Sequence, residues 1–298
     1  MTKRYFVTVI LVMFLWAICF PLISVGINDA PHLTFASLRA ILAGATLLFI
    51  AFCLNRPMPR GRQVWTIIIS IGLGATTLGF FGMFHAAEFV TPGLATVIAN
   101  TQPLLAAFLA YLFLGEVLEG RGKVGLLLGF IGIVIITLPS FGAAGRPDQL
   151  LGIAYIVLAA CGITVSNVLI RRLGNRADPL VAMGWQMVIG SIPLGLLALS
   201  TENPTDLVWS TRFTLSLVSL SFAGTALVYW LWSAILQDVE LNRANAFSFL
   251  IPIFGLSMGL IFFNESLGWI QVGGITLSLA GIYLVNSSSS PEMRAPGS

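Results

Sequence analysis

Long apolar stretches alternate with short polar ones along the whole chain. Each apolar stretch runs for about 17–23 residues, enough for a helix to cross a bilayer core. The pattern predicts ten membrane-spanning helices, near residues 5–27, 34–54, 64–84, 93–114, 124–140, 150–170, 179–200, 212–234, 244–263 and 270–286. The polar gaps between them hold about a dozen residues at most, too few for a separate soluble domain. We therefore expect an all-α membrane protein.

The composition excludes the soluble classes of protein. Of the 298 residues, 57% are hydrophobic and only 9% are charged, and the mean hydropathy is +0.94. Soluble domains carry about 25% charged residues. The chain therefore has too little polar surface for a soluble enzyme, a nucleic-acid reader or a disordered protein.

The basic residues indicate how the spans are oriented. With the N-terminus in the cytoplasm, twelve Lys and Arg side chains fall on the cytoplasmic side and only Arg146 and Arg212 on the other, with Arg39 inside the second span. Basic residues concentrate on the cytoplasmic side of membrane proteins. We therefore expect both termini in the cytoplasm. The apolar run after Met1 is too long for a signal peptide and lacks a cleavage site, so it is interpreted as the first span.

The chain is similar to itself at a shift of 149 residues. The shift pairs residues at matching places in their spans: Thr76 with Thr225, Pro103 with Pro252, Glu116 with Glu265, Gly125 with Gly274 and Gly132 with Gly281. Each copy holds five spans, an odd number, so the second copy enters the membrane from the opposite side. We predict two inverted five-helix repeats, 1–143 and 144–290, and a tail at 291–298. Inverted repeats are typical of transporters that bind substrate between their halves.

These repeats resemble a known family. The run from Pro103 to Glu116, followed by Gly125 and Gly132, is similar to the EamA-type repeat of the drug/metabolite transporter superfamily, and the run from Pro252 to Glu265 matches it again. The whole sequence also resembles the YddG branch, bacterial inner-membrane exporters of aromatic amino acids. The resemblance implies ten helices, a central cavity between the halves, alternating access and a place in the bacterial inner membrane.

The charged residues narrow the class of substrate. No carboxylate and no Lys lies at the centre of a predicted span. Exchange of cationic drugs for protons usually needs an acidic residue within the membrane, and transport of phosphorylated sugars needs buried cations. Arg39 is the one candidate cation, and we expect it to snorkel to the outer interface from about one turn inside its span. A substrate that is neutral overall, zwitterionic or uncharged, fits best.

Aromatic and small polar residues within the spans are the candidate substrate contacts. Thr76, Phe80 and Phe84 recur at every fourth position and so share one face of the third helix, and the shift pairs this face with Thr225, Tyr229 and Ser233. Rings can stack on an aromatic substrate, and amides in a membrane need partners that lipid cannot supply. Packing of the bundle is the alternative role. The full predicted set is Trp16, Phe20, Thr76, Phe80, Phe84, Asn100, Gln102, Asn167, Tyr229, Ser233, Asn245 and Ser248.

Prolines and one histidine indicate moving or titrating parts. Pro21, Pro103 and Pro252 fall within predicted spans, where proline removes a backbone hydrogen bond and produces a kink or hinge. His85 and Glu88, three positions apart near the outer end of the third span, form a candidate proton-sensitive pair. A solvated pair in a loop is the alternative. Proton antiport and facilitated diffusion both stay open.

The sequence carries no convincing catalytic, nucleotide-binding or metal-binding motif. The Gly255-x-Ser257-x-Gly259 spacing belongs to nucleophile elbows, but here it lies in an apolar span instead of a strand-to-helix turn. The chain has only two His and no cluster with metal-ligand spacing, so no metal or cofactor is expected. A membrane enzyme and a scaffold that transports nothing are the remaining alternatives outside transport.

These observations together predict a secondary transporter and not an enzyme. We expect it to export amino acids, neutral aromatic ones (Phe, Trp and Tyr) in particular, by alternating access. Its predicted partners are this small-molecule substrate and the lipid bilayer; no nucleic acid is expected, and the sequence indicates no protein partner. Broad efflux of neutral drugs or metabolites by the same fold is the alternative.

Overall fold

The computed structural model describes residues 3–86, 89, 98–138, 149–262 and 268–287. These residues form helices, turns and loops, with no β-strand among them. In chain order the helices are α1 (Lys3–Gly26), α2 (His32–Cys53), α3 (Arg62–Ala86), α4 (Gln102–Leu114), α5 (Gly120–Thr137), α6 (Gln149–Leu173), α7 (Pro179–Thr201), α8 (Thr211–Asp238), α9 (Leu241–Ala246), α10 (Leu250–Phe262) and α11 (Trp269–Ser287). Single 3₁₀ turns lie at Gly174–Arg176, Pro204–Asp206 and Phe247–Phe249.

Eight of these helices are long and apolar enough to cross a membrane: α1, α2, α3, α5, α6, α7, α8 and α11. Each overlaps one of the spans predicted from the sequence. Within the described residues, the fourth predicted span is represented by the 13-residue α4, and the ninth by α9 and α10 on either side of a 3₁₀ turn. The prediction of an all-helical, multi-pass membrane protein is therefore confirmed.

Many large apolar side chains face outward, and small residues line the closest helix contacts. On α11, for example, Trp269 and Tyr283 are exposed whereas Gly274 and Gly281 are buried. Lipid is as apolar as a protein core, so membrane helices associate through close packing of small residues rather than by burying large ones. This distribution explains why the helices are hydrophobic around their whole circumference.

The α5–α11 contact is one example of this close packing. A Cβ on Gly125 would lie 2.8 Å from the backbone oxygen of Gly281, and a Cβ on Gly132 would lie 2.6 Å from that of Gly274. No larger residue fits at these positions without separating the helices. The contacts join the start of α5 to the end of α11 and the reverse, so the two helices cross antiparallel.

The other helices pack in pairs around the middle of the bundle. α2 lies along α7, α3 lies against α6 and α7, and α8 lies against α1 and α2. α4 packs on α6 and α9, while α10 packs on α1. The residues predicted to bind substrate on α1, α3, α6 and α8 are therefore carried by successive neighbours, because α1 contacts α8, α8 contacts α6 and α6 contacts α3.

The long helices α3 and α8 each contain a π-helical segment, Gly72–Leu78 and Phe222–Leu227. The two segments correspond under the shift of 149 residues, and Thr76 and Thr225 within them are fully buried. A π-helix interrupts the regular i→i−4 hydrogen bonding and often occurs at functional sites. In α8 the Thr225 hydroxyl donates to the carbonyl of Leu220, five residues earlier, at 2.8 Å.

The three prolines predicted to kink helices differ in their setting. Pro21 lies inside α1. Pro103 lies in the first turn of α4, and Pro252 lies in the first turn of α10, just after the 3₁₀ turn at Phe247–Phe249. A proline in a first turn costs no helical hydrogen bond, because the N–H at that position has no partner within the helix. The hinge role of all three stays a prediction.

Candidate functional site

Three aromatic rings and one amide meet where α1, α6 and α8 come together. The Trp16 ring lies edge-to-face on Tyr229, at 6.2 Å between centroids, and on Trp232, at 5.4 Å. The Trp232 indole N–H donates to Asn167 Oδ1 at 2.9 Å, which fixes the amide orientation. Trp16, Asn167, Tyr229 and Trp232 are hereafter the aromatic cluster. Three of the four were predicted substrate contacts; Trp232 was not among them.

Arg39 corrects one expectation from the sequence. It does not snorkel to the interface: it is only 4% exposed. Its Nε donates to Thr225 Oγ1 at 2.6 Å and its Nη2 to the Gly224 carbonyl at 3.3 Å. Because α2 begins at His32, Arg39 lies two turns inside the helix, and α8 covers it with acceptors of its π-helical segment. The arginine is therefore bound inside the bundle.

The remaining neighbours of Arg39 are neutral. The guanidinium carbon lies 5.0 Å from the centroid of the Phe80 ring, in cation–π geometry, and Nη2 also contacts Cys19 Sγ at 3.6 Å. No carboxylate of the described residues lies within 4 Å of the guanidinium. Cys19, Arg39, Phe80, Gly224 and Thr225 are hereafter the Arg39 cluster.

Thr76 has a different partner from its counterpart Thr225. Its hydroxyl donates to Gln186 Oε1 on α7 at 2.9 Å. Gln186 is fully buried, and its Nε2 has no hydrogen-bond partner in the described part of the chain. Gln186 was not among the predicted contacts, although it is an amide within an apolar helix, as Gln102 was predicted to be.

Phe80 and Phe84 share a buried face, as predicted, but their surroundings differ. Their rings lie 6.3 Å apart. Phe80 faces Arg39, whereas Phe84 lies edge-to-face on Phe35 at 6.1 Å, and Phe35 in turn packs on Phe213. Phe84 thus lies in an apolar cluster, where packing accounts for it.

The other predicted contacts lie outside the two clusters. Ser233 is buried one turn beyond Tyr229. Asn245 on α9 and Ser248 in the following 3₁₀ turn have a buried Nδ2 and a buried Oγ without a partner among the described residues. Two more lie at the start of α4, where Asn100 is buried in the preceding turn and Gln102 is half-buried. Phe20 lies in α1, but its side chain is outside the description.

Polar residues join the helices at the end of the bundle where α2 begins. His32 Nε2 lies 2.9 Å from His85 Nδ1, and His32 Nδ1 lies 3.5 Å from Glu202 Oε1. The Glu202 carboxylate accepts from the backbone N–H groups of Leu33 and Thr34 and so caps α2. The predicted partner of His85, Glu88, lies outside the described residues. The contact of His85 with His32, and that of His32 with Glu202, were not predicted.

At the opposite end of the bundle, Glu116 joins four helices. It follows α4 and accepts from the backbone N–H groups of Leu241 and Asn242 at the start of α9, at 3.0 and 3.2 Å. Arg171 of α6 lies 3.8 Å from it and donates to the last carbonyls of α8, those of Leu236 and Gln237. Burial raises the pKa of Glu116, and the two N–H groups and Arg171 oppose that rise.

Within the described residues no group of three or more His, Cys, Asp or Glu side chains is placed to hold a metal ion. The described residues inside the bundle offer aromatic rings, neutral hydrogen-bonding groups and the Arg39 guanidinium. Such groups bind and orient a small molecule.

Comparison with known proteins gives this arrangement a family. A model of the EamA-like transporter family matches residues 3–138 and again residues 150–287. A WAT1-related chloroplastic protein of Arabidopsis thaliana is 31% identical over 84% of this chain, which spans only 62% of that relative's length. A probable amino-acid metabolite efflux pump of Escherichia coli is 25% identical, over 95% of each chain.

A solved structure shares the fold. One solved crystal structure superposes on this chain with a TM-score of 0.83. The superposition covers 96% of this chain and 99% of the other, and the two sequences are 17% identical. At that identity the likeness concerns the fold alone. The family assignment comes instead from the family model, which covers most of the chain in two stretches. The chain belongs to the EamA-like transporter family.

Proposed function

We propose that this protein is a secondary transporter that exports amino acids, neutral aromatic ones in particular, across the bacterial inner membrane by alternating access. The observation that carries the proposal is the aromatic cluster, in which Trp16, Tyr229 and Trp232 meet inside a membrane-spanning bundle. The name of the Escherichia coli relative, an amino-acid metabolite efflux pump, supports the same class of substrate.

The proposal includes ten spans arranged as two inverted repeats with both termini in the cytoplasm. The antiparallel crossing of α5 and α11 supports it, because Gly125–Gly281 and Gly274–Gly132 are the same contact seen from each half. Ser278 donates to the carbonyl of Gly129, its own counterpart under the shift, at 3.4 Å, as residues near a two-fold axis would. The matching π-helical segments of α3 and α8 support it as well.

The aromatic cluster offers a substrate ring both stacking surfaces and a polar handle. Stacking on Trp16 or Tyr229 contributes about 0.5–1.5 kcal/mol per aromatic pair beyond the burial of area. Asn167, oriented by Trp232, fixes the pose by hydrogen bonding. The rings come from α1 in the first half and from α8 in the second, so relative movement of the halves would open and close the site.

Movement of the halves needs contacts that can break at each end of the bundle. The Glu116 contacts to α9 and the Glu202 contacts to α2 are polar, few and located at opposite ends. In alternating access one such set opens while the other stays closed. The helix breaks before Pro103 and Pro252 are the proposed hinges.

Flux into liposomes that hold the purified protein tests the proposal. Labelled Phe, Trp, Thr, Lys and Glu are compared with and without a pH gradient. Saturable flux of Phe and Trp, but not of Lys or Glu, is expected. A rate that follows the gradient identifies proton antiport, and an indifferent rate identifies facilitated diffusion.

One substitution assigns the flux to the aromatic cluster, and a second tests a predicted contact outside it, at the start of α4. Tyr229→Ala and Gln102→Leu are expected to abolish transport while the protein still inserts. The matched control is Tyr283→Ala, since Tyr283 is 71% exposed on α11, away from the cluster. Wild-type rates in Tyr229→Ala would contradict the site. Flux of none of the amino acids would favour the alternative function, efflux of neutral drugs or metabolites.

A further inference from the structure

Arg39 is a buried cation with no anionic partner among the residues that the structure describes. Burying an ion costs several kcal/mol unless a counter-ion or a set of good acceptors compensates for it. The described residues supply two neutral oxygens, a thiol and an aromatic face, but no carboxylate within 4 Å of the guanidinium. Ionisable residues inside a membrane protein usually mark the path of a ligand or an ion.

The guanidinium also has donors to spare. It carries five N–H groups, and the hydrogen bonds within the described residues involve only Nε and Nη2. Nη1 donates to none of the described residues, so its two N–H groups are available. These N–H groups can donate charge-assisted hydrogen bonds to a carboxylate.

The Arg39 cluster lies beside the aromatic cluster, because two helices contribute to both. On α8, Thr225 binds Arg39 while Tyr229, one turn later, contacts Trp16. On α1, Cys19 contacts Arg39 while Trp16, three residues earlier, belongs to the aromatic cluster. Residues three or four apart on a helix share a face. The two clusters are therefore neighbours inside the bundle.

We infer that Arg39 binds the carboxylate of an aromatic substrate whose ring lies in the aromatic cluster. The inference rests on the proposed function for the location of the substrate site, and it specifies the class of ligand: an aromatic carboxylate. No described carboxylate lies beside Arg39 to receive an ammonium group, so the substrate carboxylate is required and its amino group is dispensable.

The first test needs no mutation. The unfolding temperature of the purified wild-type protein is measured with four compounds that share a phenyl ring: phenylalanine, 3-phenylpropionate, phenylalaninamide and 2-phenylethylamine. Ligands stabilise the state that they bind. Stabilisation by the two carboxylates and not by the amide or amine is expected. Equal stabilisation by the amide or the amine would overturn the inference.

Variants then assign the effect to Arg39. Arg39→Gln is expected to weaken binding of both carboxylates by about 30-fold or more, as loss of one partner of a buried charge pair does. Arg39→Lys keeps the charge but not the planar guanidinium, so a smaller loss is expected. Arg212→Gln, which removes an exposed charge, is the control and is expected to leave binding unchanged. Unchanged binding in both Arg39 variants would also overturn the inference.

The two hypotheses fail in different ways. If liposomes transport phenylalanine and phenylalaninamide equally well, the proposed export function stands and the role of Arg39 is wrong. If carboxylates stabilise the protein through Arg39 but no amino acid is transported, the binding site stands and the proposed function is wrong. If Arg39→Gln does not fold, Arg39→Lys and the wild-type compounds still decide.

Discussion

The corresponding faces of α3 and α8 have the same backbone conformation but different polar contacts. Both contain a π-helical segment with a fully buried threonine at the same place, Thr76 in one and Thr225 in the other. Thr76 donates to the neutral amide of Gln186, whereas Thr225 accepts from the cation of Arg39. Of the two equivalent threonines, only Thr225 therefore contacts a charged side chain.

The two faces also differ in how closely a neighbouring helix packs against them. α3 lies against α7 so closely that a Cβ on Gly190 would be 2.4 Å from the carbonyl oxygen of Gly72. At the corresponding places α8 has Ser221 and α2 has Ile41, and Ile41 is 44% exposed. Glycine packing therefore holds the first face, while hydrogen bonds from Arg39 hold the second. Polar contacts can be exchanged for a ligand more readily than close backbone packing can.

The largest effects are expected at Phe80 and Tyr229, which correspond under the shift and are each 7% exposed. Replacement of either by Ala is expected to lower the free energy of unfolding by about 3 kcal/mol, as for other buried rings. Tyr229→Ala is also expected to abolish transport, whereas Tyr229→Phe keeps the ring contact with Trp16 and most of the rate. Flux lost in Phe80→Ala but kept in Tyr229→Ala would move the site to the first half.

A glycine substitution in α7 tests the packing of the first face. Gly190→Ala places a methyl group against the backbone of Gly72 and is expected to cost about 1–3 kcal/mol of stability. In the matched control, Gly195→Ala, the new Cβ meets only the end of the Ser37 side chain, at 3.1 Å, which can rotate away. Thermal unfolding of the two variants measures the difference. Equal stability would show that α3 and α7 can separate at little cost.

The paired threonines test the polar contacts directly. Thr225→Val removes an acceptor from a charged group, whose hydrogen bonds are worth about 1.5–3 kcal/mol, whereas Thr76→Val removes a neutral contact worth about 0.5–1.5 kcal/mol. We expect transport to fall about tenfold in Thr225→Val and by less in Thr76→Val. Rates measured in the same liposome assay give the comparison, and the reverse order would contradict the assigned difference between the faces.

The smallest expected effect is the contribution of Glu116 to the pH dependence of stability. Burial raises the pKa of Glu116 above its ordinary value of 4.5. Between 4.5 and the raised pKa, the folded protein keeps a proton that the unfolded chain has lost, so stability decreases as the pH rises through this interval. The unfolding temperature of the wild type should therefore fall with pH relative to that of Glu116→Gln. Parallel curves would show that Glu116 does not contribute. The same comparison for Glu265→Gln, its counterpart outside the described residues, extends the test to the second half.

Much of the fold follows from hydrophobic runs alone, because a membrane span needs little more than length and apolarity. The shared face of Thr76 and Phe80 likewise follows from helical periodicity. The partners of these residues do not. Whether Arg39 reaches an interface or is covered depends on where α2 begins and on which helix lies over it, and periodicity within one helix contains neither fact.

Other features escaped prediction for similar reasons. The π-helical segments depend on hydrogen bonding that apolar patterns do not reveal. Glu202 and Glu116 cap helices distant in sequence, so their partners depend on tertiary packing. Gln186 is the exception: an amide in an apolar helix is visible in the sequence, and the structure shows it fully buried beside Thr76.

Cys19 allows the opening of the Arg39 cluster to be followed by chemical labelling. Its thiol lies against both the Arg39 guanidinium and the Gly224 carbonyl, closed off from either side of the membrane. The other two cysteines of the chain, Cys53 and Cys161, are exposed and replaceable. With those removed, a water-soluble thiol reagent reaches Cys19 only when the bundle opens. The rate at which Cys19 is labelled then reports how often the bundle opens. The side of the membrane from which the reagent reacts shows whether the open state faces inward or outward.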